Sequence, residues 1–348
     1  MKIVIGHYHL HPGGVTKIID SQIRSLLRND PNADIRIICG HADHPEMYQK
    51  FKIPVIVNEH LDYLSDGLAK GQLREILDHL RSFFREQLDQ DTVLHFHNPN
   101  LGKNPLVTLC LYELAKEGYS IFNHAHDFAE DRPQNINFIR EIVENILGKD
   151  IKEVLYPSGM MHYKFGVLNS FDKERLLQSG LEEKRIVLLP NPVGVTEEVE
   201  HLDKQECRKQ VCATFDIEPS RKIVTYPVRV IRRKNIGECI LFSELFKDHA
   251  ALLVTLAPKN PVERQSYETW RSFCKQHAFY NVLFEVAHSI DFNVLVKGSD
   301  FCITTSVREG FGMTFMEPWL YDTPVVGRNI DYIVRDFDEL GMRFPNNY

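Results

Sequence analysis

Apolar positions in the first half of the chain alternate between short runs and longer stretches with three-to-four spacing. Short β-branched runs at residues 3–5, 35–39, 93–96, 120–123 and 154–156 predict strands. Stretches at 15–28, 68–88, 105–117 and 136–147 carry the spacing of amphipathic helices. Strands that alternate with helices are typical of parallel α/β structure, so we expect one doubly wound sheet here.

The alternation of predicted strands and helices starts again after residues 189–200. This segment is rich in proline, glycine and acidic residues, which is typical of a surface linker. Strands are expected at 223–226, 252–256, 282–284, 301–304 and 324–326, and helices at 235–246, 262–277 and 312–321. A chain of 348 residues also exceeds the size at which one core usually stops growing. We therefore predict two Rossmann-like domains, 1–190 and 191–348.

Composition narrows the class of protein. The 7 cysteines form no Cys-x-x-Cys pair, which favours a reducing compartment. No apolar stretch has the length of a signal sequence or membrane span, so we expect a cytoplasmic protein without membrane association. The net charge of −7 argues against nucleic acid as a partner.

Two pairs of charged residues in the second half indicate a nucleotide-sugar site. Arg229 and Lys234 follow the strand expected at 223–226, and two cations at this spacing can hold a diphosphate. Glu309 and Glu317 flank the turn Gly310-Phe311-Gly312-Met313, where carboxylates can accept hydrogen bonds from sugar and ribose hydroxyls. The run of cations at 232–234 opposes a helix dipole, so we expect an anion to compensate it.

A glycine pair follows the first strand of the first half. In His11-Pro-Gly13-Gly14-Val, two glycines at a helix start let backbone N–H groups approach an anion. The dinucleotide fingerprint Gly-x-Gly-x-x-Gly is absent, which disfavours a nicotinamide dehydrogenase. Because ligands bind outside the carboxyl ends of parallel strands, these motifs predict one ligand cleft between two facing domains.

Histidines alternate in three places, at 7, 9 and 11, at 95 and 97, and at 124 and 126. Each set shares one side of an extended chain. Without neighbouring cysteines or a helical His-x-x-x-His pair, we interpret them as polar residues that line the cleft and expect no metal site. Of these, His126 with Asp127 is the best candidate for a sugar contact.

Taken in order, these motifs resemble the retaining GT-B glycosyltransferases of family 4, also called glycosyl transferases group 1. The resemblance covers nearly the whole chain and includes Leu189-Pro-Asn191-Pro-Val before the linker. It implies a GT-B fold, with the acceptor on the first domain and the nucleotide-sugar donor on the second.

The resemblance also implies residue roles. Arg229 and Lys234 would neutralise the leaving diphosphate, Glu309 would hold donor-sugar hydroxyls, and His126 would approach the sugar's C6 hydroxyl. Donor binding is further implied for Gly13, Gly14, Gly310, Phe311, Gly312, Met313, Glu317 and Asn191. No bound metal is implied, since the cations take its place. No cofactor is implied either, because the nucleotide-diphosphate sugar is a substrate. It would react with a hydroxyl acceptor, either a small molecule or a glycan.

The chain departs from the family at three points. The family commonly has glycine where this chain has Val228 and Asn235, and small residues where it has Trp319 and Tyr321. The second domain looks abbreviated, which suggests that a partner chain, a dimer or a further segment completes it. Two alternatives stay open: a nucleotide-sugar 2-epimerase on the same fold, and a non-catalytic nucleotide-sugar-binding subunit.

Overall fold

The computed structural model describes residues 1–194 and 201–348, which form two compact units, Met1–Pro192 and Val193–Tyr348. The boundary expected from sequence, 190/191, lies two residues earlier. The second half of the expected linker, 195–200, lies outside the described residues.

The first unit is built on a seven-stranded parallel sheet with the order β3-β2-β1-β4-β5-β6-β7. The strands are β1 (Lys2–Leu10), β2 (Asp34–Ala42), β3 (Val55–Val57), β4 (Thr92–His97), β5 (Ser120–Ala125), β6 (Tyr163–Val167) and β7 (Ile186–Leu188). The α-helices are α1 (Gly14–Asn29), α2 (Lys70–Gln87), α3 (Pro105–Lys116), α4 (Pro133–Arg140), α5 (Ile151–Leu155) and α6 (Ser170–Gln178). A π-helical segment, Glu141–Ile146, follows α4, and short 3₁₀ turns lie at Pro45–Phe51, Glu59–Leu61, Pro99–Leu101, Ala129–Asp131 and Glu183–Arg185.

Apolar periodicity explains how the helices cover this sheet. Helix α2 places Leu73, Leu77, Leu80 and Phe84 at three-to-four spacing, and all four side chains are buried in the main core. Helix α3 is apolar on nearly all sides and is correspondingly enclosed. Its start is fixed by Asn104, whose side-chain oxygen accepts the Val107 N–H at 3.3 Å.

The second unit has a five-stranded parallel sheet with the order β10-β9-β8-β11-β12. Its strands are β8 (Lys222–Arg229), β9 (Ala250–Leu256), β10 (Val282–Phe284), β11 (Phe301–Thr304) and β12 (Val325–Gly327). Its α-helices are α7 (Lys204–Phe215), α8 (Ile236–Leu245), α9 (Pro261–Gln276), α10 (Phe292–Gly298), α11 (Met313–Met316) and α12 (Asp331–Glu339). Three 3₁₀ turns lie at Arg232–Lys234, Val286–His288 and Glu317–Tyr321.

The predicted strand at 154–156 is wrong. These residues fall at the end of α5, whose first turn is capped by the Asp150 carboxylate, an acceptor for the Lys152 N–H at 2.8 Å. The strand of this region is β6, which pairs with β5 through Ile121 and Tyr163. Val154 is buried, and a buried apolar residue fits either element, so its hydrophobicity did not distinguish helix from strand.

Two predicted helices are each divided in the structure. The stretch expected at 136–147 begins in α4 and continues as the π-helical segment. The stretch expected at 312–321 is the short α11 followed by a 3₁₀ turn that contains Pro318. Proline lacks the N–H that an α-helix interior requires, which accounts for the change at this point.

All seven cysteines are unpaired and buried. Within the described ranges, no helix combines the length and the apolar character needed to cross a membrane.

Candidate active site

In the second sheet the direction in which successive strands are added reverses at one point, between β8 and β11. Strands β9 and β10 extend from one side of β8, and β11 and β12 from the other. The loops that leave β8 and β11 meet at the carboxyl edge of the sheet beside this point, which is the usual ligand position in such sheets. Arg229 ends β8, and the segment with Glu309 follows β11.

A buried ion pair joins these two loops. The Lys234 ammonium donates to Glu309 Oε1, and Arg233 Nη1 lies 3.2 Å from Glu309 Oε2. Only 9% of Lys234 and 8% of Glu309 is exposed, so the pair is largely shielded from water. The anion expected to compensate the run of cations is therefore Glu309, and the cations form a 3₁₀ turn of their own before α8.

Backbone contacts fix both loops around this pair. The Tyr332 hydroxyl accepts the Glu309 N–H at 3.0 Å and donates to the Glu309 carbonyl at 2.7 Å. Arg233 Nη1 donates to the Arg308 carbonyl at 3.0 Å. Tyr332 could not be predicted from the sequence, because it reaches Glu309 from α12 through tertiary packing.

The backbone after Lys234 turns through a left-handed residue. Asn235 has φ 49° and ψ 51°, a region where asparagine is several-fold enriched among non-glycine residues. The Thr305 hydroxyl donates to the carbonyls of Lys234 at 3.1 Å and Asn235 at 3.0 Å. Asn235 therefore adopts a left-handed conformation that glycine would also adopt readily.

Burial lowers the pKa of Lys234 from its ordinary value of 10.5, and the charge of Glu309 opposes this shift. Arg233 lowers the pKa of Lys234 further, and Glu317 raises it. Glu317 is thus near enough to act on the Lys234 charge.

Arg229 is a half-buried cation of this region with few internal contacts. A register shift in β8 between Tyr226 and Arg229 precedes it, and its Nη1 donates to the Ala257 carbonyl at 3.4 Å. Across residues 1–194 and 201–348, no carboxylate forms an ion pair with Arg229. Its guanidinium is half-buried and has donors left for an anion.

The turn from Gly310 to Met313 leads into α11. Gly312 has φ +90°, and a Cβ built there would lie 2.6 Å from Ile333 Cγ2. Glycine is required at this position both by the backbone conformation and by the close approach of α12. Phe311 is buried against Phe337, with ring centroids 5.6 Å apart, so its side chain packs inside the unit.

The other predicted site residues belong to the first unit. Gly13 caps α1 and Gly14 begins it, and neither has a close neighbour that a side chain would strike. The Asn191 side-chain oxygen is buried without a hydrogen-bond partner among the described residues. His126 is 7% exposed, and burial lowers its pKa well below 6.5.

Two groups in the first unit have donor sets suited to a metal ion. His95, His97 and His124 are largely buried, and His11, His41 and Asp43 are mostly exposed. Both lie at the carboxyl ends of strands. The sequence did not predict either group, because the strand register that assembles them was not known.

No protein-family model matches the chain. Mannosylglucosyl-3-phosphoglycerate synthase of Petrotoga mobilis is 27% identical over 355 aligned residues, which cover 97% of this chain and 66% of that protein. Trehalose synthase of Pyrococcus furiosus is 27% identical over 169 residues, 46% of this chain and 40% of that protein. The chain thus spans less than two thirds of these relatives.

Among solved structures, Anabaena HepE in complex with UDP and glucose superposes with a TM-score of 0.66 at 14% identity, covering 100% of this chain and 85% of that one. WaaG, a glycosyltransferase of lipopolysaccharide biosynthesis, superposes with a TM-score of 0.66 at 14% identity, covering 97% and 84%. These similarities show the fold, which is that of GT-B glycosyltransferases with two parallel α/β units. The predicted fold class is confirmed.

Proposed function

We propose that this chain is a retaining glycosyltransferase, which moves a hexosyl group from a nucleotide-diphosphate sugar to a hydroxyl acceptor. The second unit would bind the donor and the first would bind the acceptor. The observation that carries the proposal is the buried Lys234–Glu309 pair at the switch point of the second sheet. The relatives named as synthases and the GT-B fold support the same reaction class.

The pair explains how two buried charges satisfy each other and how a donor would use them. A buried cation and a buried carboxylate each need a partner. When a diphosphate arrives, Lys234 exchanges Glu309 for phosphate oxygens. Glu309 is then available to accept hydrogen bonds from sugar hydroxyls, while Arg233 remains beside it.

Arg229 completes the cationic part of this site. Its free donors suit a bidentate contact with phosphate, and it shares the carboxyl edge of β8 with the turn that carries Lys234. The family resemblance adds Glu317 for the ribose and the turn Gly310–Met313 for backbone contacts. It assigns Gly13, Gly14 and Asn191 of the first unit to donor binding, and His126 to the C6 hydroxyl of the donor sugar.

In the proposed reaction, the bond between the anomeric carbon and the diphosphate oxygen breaks. The acceptor oxygen bonds to the same carbon on the same face, and the acceptor's proton passes to the departing diphosphate. Arg229 and Lys234 stabilise the charge that develops on the leaving group, a case of preorganised transition-state binding. This role is what lets the transfer proceed without a bound metal.

The first test is a thermal-shift titration with UDP, GDP, ADP, TDP and their common sugar conjugates. A nucleotide at about 100 times its dissociation constant stabilises the folded state by about 2.7 kcal/mol. We expect nucleotides with one of these bases to stabilise the protein more than the others. Arg229→Ala should lose most of this stabilisation. Arg264→Ala is the matched control, because Arg264 is an exposed arginine of the same unit, paired with Glu268 on α9.

Turnover then separates transfer from the other two candidate functions. The selected donor is incubated with a panel of hydroxyl acceptors that includes glycerate derivatives and sugars, with and without phosphate. We expect a glycoside of retained configuration, and a loss of about 10²–10³-fold in kcat for Arg229→Ala. A changed donor sugar without acceptor consumption identifies an epimerase, binding without any product identifies a non-catalytic subunit, and either outcome refutes the proposal.

A further inference from the structure

Strand pairing in the first unit gathers histidines that are far apart in the sequence. Strands β4 and β5 are parallel, with His95 opposite Phe122 and His97 opposite His124. Because residues two apart share one face of a strand, His95, His97, His124 and His126 lie on one face of the sheet. His7 of β1 joins them, and its Nδ1 lies 3.1 Å from the His97 carbonyl.

This group sits at the switch point of the first sheet. Strands β2 and β3 extend from one side of β1, and β4 to β7 from the other. The histidines lie at the carboxyl ends of β1, β4 and β5, where such sheets bind ligands.

The distances suit a shared ion. His95 Nε2 and His124 Nδ1 are 3.2 Å apart, and one ring nitrogen from each of His95, His97 and His124 lies within 4.8 Å of the others. Two nitrogens on one tetrahedral zinc ion, each bonded at about 2.0–2.1 Å, are separated by roughly 3.4 Å. One pair of imidazoles already has this spacing, and His97 must approach by a small side-chain rotation.

His97 also has an unused ring nitrogen. Its side chain is fully buried, its Nδ1 lies 3.0 Å from His126 Nε2, and its Nε2 has no hydrogen-bond partner among the described residues. Burying a polar atom without a partner is unfavourable, so a bound ligand at this nitrogen would remove that cost.

We propose that His95, His97 and His124 bind a divalent transition-metal ion of the zinc class, with the fourth coordination position open to water or an anion. His97 would bind through Nε2, and its Nδ1–H would donate to His126. Such a second contact is the usual way in which a metal-bound histidine is oriented. His95 is partly exposed and gives the ion a route from solvent.

The donor type agrees with this assignment. The donors are all imidazole nitrogens, which favour zinc, copper or nickel over magnesium and calcium. The Gln22 side-chain nitrogen, 3.5 Å from His124 Nδ1, makes a contact long enough to be displaced.

The second group provides an internal control. His11 Nδ1 lies 2.8 Å from one oxygen of Asp43, and His41 Nε2 lies 3.0 Å from the other. These groups satisfy one another on the surface and leave no buried atom without a partner.

The test uses the full chain, purified without a polyhistidine tag and stripped with a chelator. Zinc binding is measured by equilibrium dialysis with metal analysis, and cobalt is used as a spectroscopic probe. We expect one zinc ion per chain, and intense visible cobalt bands typical of four-coordinate nitrogen ligation. His95→Gln should raise the dissociation constant by more than about 100-fold, and His126→Gln by about 10–100-fold, as for other outer contacts.

His41→Gln is the matched control and should leave zinc affinity unchanged. The proposal is overturned if the wild type binds no stoichiometric zinc, or if His41→Gln abolishes binding while His95→Gln retains it. Circular dichroism checks that each variant is folded. If His95→Gln does not fold, the wild-type cobalt spectrum decides, since weak six-coordinate bands would also refute the site.

Discussion

At the scale of single residues, Glu309 balances two cations in a place that water hardly reaches. Lys234 and Arg233 both contact its carboxylate, and Tyr332 holds its backbone. The sequence predicted Lys234 and Glu309 as ligand contacts, but not that they contact each other. Their spacing of 75 residues carries no information on pairing.

This arrangement predicts a stability cost for Glu309→Gln. The substitution keeps the shape of the side chain but leaves a buried cation without its counter-charge, so the free energy of unfolding should fall by about 3 kcal/mol. Urea denaturation measures the change. Glu339→Gln, at an exposed position on α12, should have almost no effect.

A double variant gives the pairwise contribution. Combining Glu309→Gln with Lys234→Met removes both charges, and the loss should be smaller than the sum of the single losses by about 0.5–3 kcal/mol. Simple additivity would contradict the importance of this ion pair in the folded protein.

At the scale of elements, β1, β4 and β5 carry neutral histidines that remain unprotonated while the chain is folded. Burial lowers the pKa of His7 to about 4, of His95 to about 3 and of His124 to about 4, against about 6.5 in the unfolded chain. Below pH 6.5 the unfolded chain therefore binds more protons than the folded one. Stability from these groups is complete above pH 6.5 and is lost as the pH falls towards 4.

Each of these three histidines should contribute a slope of roughly 1.4 kcal/mol per pH unit in the lower part of that window. Urea denaturation at a series of pH values from 7 to 5, with a chelator present, measures the slope. The double variant His95→Gln/His124→Gln should flatten it. An unchanged slope would mean that the acid sensitivity arises elsewhere.

The turn into α11 predicts a second effect at this scale. Gly312→Ala forces a side chain into a left-handed conformation and against Ile333, which should cost about 1–3 kcal/mol and displace the loop with Glu309. Gly71→Ala in α2 has no neighbour within 4 Å and should stabilise the protein by about 0.5–1 kcal/mol. Thermal unfolding compares the two, and equal effects would exclude backbone strain at Gly312.

Helices and strands could both be predicted where the spacing of apolar residues was regular. The helix at 105–117 and the strand at 282–284 agree with α3 and β10 within one residue. The segment 154–156 failed because a short buried run fits either a strand or a helix turn, and the Asp150 cap decided the outcome. The His-x-His pairs could be found by inspection, but their assembly depends on the pairing of β4 with β5.

At the scale of the whole molecule, the two units repeat one arrangement without repeating a sequence. In each, the strand order changes direction beside its first strand, at β1 and β4 in one unit and at β8 and β11 in the other. The alternation of strands and helices predicted two parallel sheets. It could not predict strand order, because that depends on pairing between distant segments. The chemistry at the two switch points differs, with neutral imidazoles in the first and paired charges in the second.

Both units contain buried cysteines that can report on local unfolding. Cys39 and Cys110 lie in the first unit, and Cys207, Cys212, Cys239, Cys274 and Cys302 in the second. A thiol reagent can modify these side chains only after the surrounding structure opens, so the order in which they react follows the order in which regions unfold. The rate of thiol modification therefore reports on unfolding in both units, and mass spectrometry can follow it without an introduced label.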